Sequence, residues 1–411
     1  MQKRDVATVV FVGAGASKAA FDESPLMAGY FSSVTEHALR AVARGAQDSD
    51  AVRTARALIM LEVHGLLRAG GPQAVVLAGH LWDRFRQESW WQHPKPRTDF
   101  VRLLHRYLIA RRTYLKSKPT HLQDDDLERV FVALEKLKRE DLLDRRFEKD
   151  AEFERSLFNF FASLYRRRAA AASGYSHLER LTRNCLRHSG MRSNILVVNL
   201  NYDAFMDHAV ARVTRPQDSV SLYGGILDYE LDQGGVQAIR RRPQDTHARV
   251  IKPHGSVTWW SSAGGQAAEY ACTPFDGRFH IPQPDAACFF HRTKWYQPRR
   301  WIRPILVPPR EKKRYPAPCQ VAVRMMSEAL EHTREVWIVG WSMPGTDEYL
   351  KNEIASAIVK RNEPVRWLRI IDHAQGEFNG LQEKASILFA PSQVDTYWRG
   401  LQTWRGWAAI E

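Results

Sequence analysis

The stretch "VVFVGAGASKAAF", residues 9 to 21, constrains this chain more than any other. A valine-rich run stops at Gly13, and the chain resumes with helix-forming residues. Asp5 to Val12 therefore reads as a short buried strand, and Ala16 to Ala20 as the first turn of a helix. Such a turn aims backbone N–H groups and the positive end of a helix dipole at an anion, most often a phosphate.

The spacing disfavours two common phosphate-binding designs. A dehydrogenase fingerprint places a third glycine or alanine where Lys18 stands, and an acidic residue about twenty positions on, at the end of a second strand. The stretch after Ser24 reads as helical instead. A Walker loop needs Gly-Lys-Ser/Thr at its end, and none follows. A reading in which Gly13 and Gly15 serve only close strand–helix packing stays open here.

Further strand signals lie at "SNILVVNLNYD" (from Ser193), "ARVIKPHG" (from Ala248), "RPILVPP" (from Arg303), "REVWIVGWS" (from Arg334) and "VRWLRIIDH" (from Val365). Helical patterns precede or follow several of them: "LERLTRNCLRH", "AVRMMSEALEHT" and "DEYLKNEIASAIVKR". Alternating buried strands and helices predict an α/β fold, a doubly wound, Rossmann-like and largely parallel sheet. Between Leu222 and Arg303 the chain is rich in Gly, Pro and aromatic residues and reads as irregular, with a hairpin or two.

A long, mostly helical stretch separates the first strand from the second. In "DDDLERVFVALEKLKRE", Asp124 to Asp126 supply an N-cap, and Leu127, Val130, Phe131, Leu134 and Leu137 recur at helical spacing. Similar patterns run through "VRTARALIMLEVHGLLRAG", "DFVRLLHRYLIARRTYLK" and "EFERSLFNFFASLYRRRAAAA". The predicted organisation is thus a Rossmann-like core from 1–30 and 189–411, irregular near 222–303, with a helical subdomain over 31–188. A chain of 411 residues that is 44% hydrophobic has material for a large core and for two units.

No apolar run reaches the roughly 18 to 20 residues that span a bilayer, and "MQKRDVATVVFVG" has no signal-peptide cleavage pattern, so a cytoplasmic protein without a membrane partner is expected. Cys185, Cys272, Cys288 and Cys319 are far apart and include no C-x-x-C, which indicates neither a disulfide framework nor a zinc ribbon. The 60 Lys and Arg against 46 Asp and Glu give +14, a balance that favours an anionic substrate or a polyanionic partner. The charge is dispersed, with short clusters at Arg166 to Arg168, Arg240 to Arg242 and Arg310 to Arg314, and no nucleic-acid-binding motif accompanies it.

Ligands of open parallel sheets bind beyond the carboxyl ends of the strands. Those ends are unusually polar here: Asn199, Asn201 and Asp203 follow one buried run, His254 and Gly255 another, Gly340, Ser342 and Asp347 a third, and Asp372 a fourth. Taken singly, each also fits a local turn, a helix cap or a hydrogen-bonded structural histidine. Taken together with Gly13 and Gly15, they point to a nucleotide site.

"GAGAS" at Gly13 to Ser17, "NLNYD" at Asn199 to Asp203, "KPHGS" at Lys252 to Ser256 and "GWSMPGTD" at Gly340 to Asp347 resemble, in this order, the sirtuin family. The closer resemblance is to prokaryotic sirtuin-like domains of antiphage defence proteins, which hydrolyse NAD. It implies that Gly13, Ala14, Gly15, Ala16 and Ser17 line the pyrophosphate and adjacent ribose. Asn201 matches the catalytic asparagine that holds the nicotinamide-side ribose and the attacking nucleophile, and Asp203 the aspartate near the carboxamide. His254 matches the catalytic histidine beside the ribose hydroxyls. Gly340, Trp341 and Ser342 match the turn that contacts the dinucleotide, and Asp372, at the last strand end, lies where the adenosine is expected.

Protein-deacylating relatives carry a four-cysteine zinc module and a "Gly-Ile-Pro-Asp-Phe-Arg" type loop. This chain has neither: the loop reads "AAFDESPLMAGYF", and Leu200 stands where the family has glutamine. The resemblance therefore implies an NAD glycohydrolase without zinc, with NAD as substrate, acting as the NAD-depleting effector of a bacterial antiphage system. An NAD-dependent deacylase and a non-catalytic NAD or ADP-ribose sensor are the alternatives. Pro25, Leu26 and Met27 are the candidates to close the nicotinamide pocket. A homo-oligomer and a separately encoded partner, such as a hexameric ATPase or an Argonaute-type protein, are the expected assemblies.

Overall fold

A computed structural model of the protein describes residues 6–20, 55, 58–66, 71–86, 94–117, 175–189, 194–231, 238–262, 269–272, 302–307, 315–373 and 380–407. The described residues form two compact units. One holds 6–20, the described residues of 175–307, and 315–407; the other holds those of 55–117.

The larger unit is built on a six-stranded, wholly parallel sheet. Its strands are β1 (Val6–Val12), β2 (Asn194–Asn199), β5 (Ala248–Ile251), β9 (Glu335–Val339), β10 (Val365–Ile371) and β11 (Pro391–Tyr397), in the spatial order β11-β10-β9-β1-β2-β5. Counted along the chain this is the 3-2-1-4-5-6 order of a Rossmann-like sheet, and the order reverses between β1 and β9. A parallel strand buried on both faces must be apolar along its length, which explains the unbroken runs Val9–Val12, Ile195–Val198 and Val336–Val339.

Helices cover both faces. Trp337 and Phe11 sit on opposite faces of the sheet, because Trp337 is paired with Val10, the neighbour of Phe11. On the Trp337 side lies the helix Ser176–Ser189 (α4), whose His188 meets the Trp337 ring. On the Phe11 side lies Leu381–Phe389 (α9), whose Phe389 meets the Phe11 ring. The helices Ala317–Leu330 (α7) and Glu348–Val359 (α8) pack on each other, α7 against β1, β2 and β5, and α8 against α9.

A second, mixed sheet orders β4 (Ala238–Arg240), β3 (Tyr229–Leu231), β7 (Tyr270–Cys272), β6 (Gly255–Ser262) and β8 (Ile302–Leu306). Two expectations change here. The "RPILVPP" segment is β8, which pairs antiparallel with β6 in this sheet and takes no part in the parallel one. The sixth parallel strand is β11, a half-exposed edge strand of polar and apolar residues that a search for buried runs passes over. In consequence Asp372 ends the penultimate strand rather than the last. The segment near 222–303, expected to be irregular with a hairpin or two, supplies four of the five strands of the mixed sheet, among them the antiparallel pairs β3–β4 and β6–β7.

In the smaller unit, Ala55, Ile59 and the helices Gly71–Arg86 (α2) and Pro94–Ser117 (α3) close a core around Leu77, Leu81, Phe85, Phe100, Leu104 and Tyr107. The fully buried Glu62 accepts a hydrogen bond from the Tyr107 hydroxyl. The "DDDLERVFVALEKLKRE" and "EFERSLFNFFASLYRRRAAAA" patterns, Pro25 to Met27 and Cys288 lie outside the described residues.

Candidate active site

The carboxyl ends of β1, β2, β5 and β9 bring four of the sequence segments together. The turn after β1 opens the helix Ala14–Ala20 (α1). It packs backbone against backbone on the turn after β9: Gly13 N–H donates to Val339 O (2.9 Å) and Gly15 N–H to Gly340 O (3.0 Å). A Cβ on Gly13 would lie 2.3 Å from Gly340 O, and one on Gly340, whose φ is +61°, 2.3 Å from the Ala16 nitrogen. Close packing at the switch point thus accounts for all three glycines. Ala16 N–H is also committed, to Gly13 O (3.0 Å).

The loop after β2 is held from beneath by fully buried polar side chains. Asn199 accepts from the Asn201 N–H through Oδ1 (3.1 Å) and donates from Nδ2 to Asp207 Oδ1 (2.6 Å). Asp207, on the helix Phe205–Thr214 (α5), is fully buried and paired with the equally buried Lys252 at the end of β5 (3.4 Å). Lys252 Nζ also donates to the Asp203 carbonyl, and the Tyr223 hydroxyl donates to Asp207 Oδ2 (2.9 Å). Burial pulls the Lys252 ammonium below its ordinary range, while Asp207 and Asp203 hold it up. The pair fixes the loop to both strands. A sequence signal for it existed: a lysine directly after the apolar run of β5 requires a buried anion.

On this base stands the Asn201 amide. Its nitrogen donates to Gly13 O (2.9 Å) and to Ser17 Oγ (2.9 Å), so both amide hydrogens are used and the orientation of the group is fixed. None of the described residues donates to Asn201 Oδ1, which remains an acceptor for a hydroxyl or water. Ser17 in turn bonds Asp203. Burial raises the Asp203 carboxyl to about 6, against the pull of the Lys252 charge, the Ser17 bond and the Phe205 N–H (3.2 Å). Gly13, Ser17, Asn201 and Asp203 therefore form one hydrogen-bonded cluster.

His254 lies in the turn between β5 and β6, where Gly255, at φ +78°, leaves no room for a side chain against Ile305 O. The ring is mostly buried. Its Nδ1 is 3.2 Å from the Leu200 carbonyl and its Nε2 3.2 Å from Asp347 Oδ1. Asp347 Oδ2 accepts from Trp341 Nε1 (3.1 Å), and the Trp341 ring is stacked on Phe11 with centroids 5.2 Å apart. Trp341 is thus a buried support, whereas Ser342 beside it is exposed and Ala14 half-buried.

Asp372 stands apart. It is half-buried at the end of β10, its carboxyl raised by burial, and it accepts from the His373 N–H (2.7 Å). Among the described residues no hydrogen bond joins it to the Asn201 or His254 clusters.

No protein-family model matches this chain and no curated protein matches it. Fold and site define a Rossmann-like α/β protein with a cluster of oriented amide, hydroxyl, carboxylate and imidazole groups beside its switch point. No helix among the described residues is long and apolar enough to cross a membrane.

Proposed function

We propose that this protein hydrolyses NAD, with water, to nicotinamide, ADP-ribose and a proton, and that it serves as the NAD-depleting effector of a bacterial antiphage system. The observation that carries the reading is the Asn201 amide, locked by Gly13 and Ser17 with no described residue donating to its oxygen, in the same unit as an oriented His254 and next to the switch point. Dinucleotides bind at such crevices.

The chemistry fits these groups. Nicotinamide is a cationic leaving group, so cleavage needs an oriented ribose, stabilisation of an oxocarbenium-like centre and a positioned water. An amide oxygen can hold the water or a ribose hydroxyl, and a histidine can take a proton near neutral pH. Asp203, raised to about 6, stands behind Ser17 as a carboxylate able to share a proton at cellular pH. On this reading the diphosphate side is met by Ser342, which is exposed, and Ala14, which is half-buried. The antiphage role, a homo-oligomer and a separately encoded partner rest on the sirtuin resemblance alone.

The test is nicotinamide release from NAD, followed by proton NMR, with the wild type beside Asn201→Ala and His254→Ala. Turnover lost in both variants is expected. Formation of O-acetyl-ADP-ribose from an acetylated peptide, without peptide-independent NAD loss, overturns the reading in favour of a deacylase. Tight NAD or ADP-ribose binding without turnover, unchanged in His254→Ala, overturns it in favour of a sensor. For an enzyme silent until triggered, NAD levels during phage challenge decide: identical levels in wild type and variants during effective protection sink the proposal.

A further inference from the structure

A second group of charged side chains gathers away from the Asn201 and His254 loops, where the start of α4 meets the chain that follows β11. Tyr397, at the end of β11, is in register with Ile371, two residues beyond Arg369, and so lies on the face of the sheet that carries Trp337 and α4. Arg180 of α4 donates through Nη2 to the Leu401 and Gln402 carbonyls (3.1 and 3.4 Å), which ties the segment after β11 to the helix. The same nitrogen lies 3.0 Å from His177 Nδ1. A guanidinium only donates, so Nδ1 is the acceptor and the proton of the neutral imidazole sits on Nε2. Arg180 Nε is enclosed, and none of the described residues accepts from it.

Arg405 brings a second guanidinium to the same place. Burial, then the Arg180 and Arg405 charges, hold the His177 imidazolium below its ordinary range, and burial, then Arg405, do the same to the Arg180 guanidinium. The carboxylates of the surrounding elements are engaged elsewhere. Glu179 pairs with Arg183 and Arg212, Asp395 pairs with Arg369, and Asp372 interacts with His373. Among the described residues no carboxylate pairs with Arg180 or Arg405, and Arg405 is exposed. Cations that repel one another beside the N-terminus of a 14-residue helix are a stable arrangement when an anion lies between them. An enclosed donor such as Arg180 Nε calls for an acceptor in its turn.

We propose that Arg180, Arg405 and His177 form a binding site for a phosphate group carried by a small molecule. Two guanidiniums and an imidazole N–H offer donors from three side chains, and a phosphate has the charge and the several oxygens to meet them. The donors converge on one half-buried point at Arg180 and His177, which suits a single phosphate group, whereas a nucleic-acid backbone is followed by an exposed basic stripe. The point adjoins the carboxyl ends of the strands: Asp372 N–H donates to Tyr397 O and Gly400 N–H to Asp372 O, both at 3.0 Å. The phosphate is therefore either the 2′-phosphate of a dinucleotide lying in the crevice or part of a separate metabolite. Neither source depends on NAD cleavage.

Calorimetric titrations with inorganic phosphate, NAD and NADP test the site in the wild type, in Arg405→Glu and in His177→Gln. Arg405 is exposed and holds no other element in place, so Arg405→Glu is expected to keep the wild-type Tm, whereas Arg180→Ala would also release the segment after β11. Saturable phosphate binding is expected in the wild type, weakened roughly tenfold or more in Arg405→Glu and less in His177→Gln. NADP binding tighter than NAD, with the difference lost in Arg405→Glu, assigns the site to the 2′-phosphate of a dinucleotide. Equal NAD and NADP affinities, with Arg405-dependent phosphate binding, assign it to a separate metabolite. Phosphate binding by a protein that neither binds nor cleaves NAD leaves this site standing while the hydrolase reading falls. Absence of saturable binding of both phosphate and NADP, or affinities unchanged in Arg405→Glu, overturns the proposal. Steeply salt-dependent oligonucleotide binding that Arg405→Glu abolishes, without binding of phosphate or NADP, overturns it in favour of a nucleic-acid surface.

Discussion

Two neighbouring parts of this molecule present opposite relations between motif and chemistry. The glycine turn after β1 is what first points to a phosphate site, yet its glycines are accounted for by contact with the turn after β9, and the N–H groups of Gly13, Gly15 and Ala16 all bond within the protein. The strand-end loops after β2 and β5 carry less conspicuous residues. They nevertheless gather a buried ion pair, an oriented amide and a histidine with a carboxylate partner. A glycine pattern shows where backbones must approach, and only the polar groups left with open valences show where a ligand can be handled.

The largest effect is expected from breaking the base of the second region. Lys252→Met removes the cation from Asp207 and leaves a buried carboxylate uncompensated, which costs about 3–5 kcal/mol. Urea unfolding measures it, and the double variant with Asp207→Asn should recover much of the loss. A Lys252→Met protein within about 1 kcal/mol of wild type would mean that the ion pair does not hold the loop.

A somewhat smaller effect follows from Asp203. Its carboxyl is raised from 3.8 to about 6, so the folded protein binds a proton that the unfolded chain has released. Stability from this group is therefore full below pH 3.8 and is lost as pH rises toward 6, by about 3 kcal/mol in all. Asp203→Asn removes the titration. The difference in unfolding free energy between variant and wild type should grow in the variant's favour between pH 4 and 6 and then level off. Parallel curves across that window would show that Asp203 is as solvated in the fold as outside it.

The legibility of the two regions differed for physical reasons. The parallel core was readable because a strand buried on both faces has to be apolar throughout, as Val9–Val12 and Val336–Val339 are. β11 was not, since an edge strand mixes polar and apolar residues, and β8 looked like a core strand because a buried antiparallel strand shows the same run. The sequence could propose Asn201, Asp203 and His254 from their places at strand ends. It could not show that Ser17 joins Asn201 to Asp203, or that Asp347 meets His254, because those contacts cross 184 residues in one case and separate strands in the other. Asp207 was missed as well, a charge inside a helix whose partner, Lys252, lies 45 positions on.

The sharpest separation of packing from ligand contact lies within the turn after β9, in Gly340 and Ser342. Gly340→Ala forces a Cβ to 2.3 Å from the Ala16 nitrogen at φ +61°, and backbone on both sides prevents relief. It should destabilise the fold by about 2 kcal/mol, whatever the protein binds. Ser342 is exposed, and Ser342→Ala should leave stability within about 0.5 kcal/mol. If the turn touches a dinucleotide, the same change removes a hydrogen bond to it and weakens binding by roughly threefold to tenfold, as a titration calorimeter would read. Unaltered NAD affinity in Ser342→Ala would confine this turn to packing, and the ligand would then have to be held by the Asn201 and His254 loops without it.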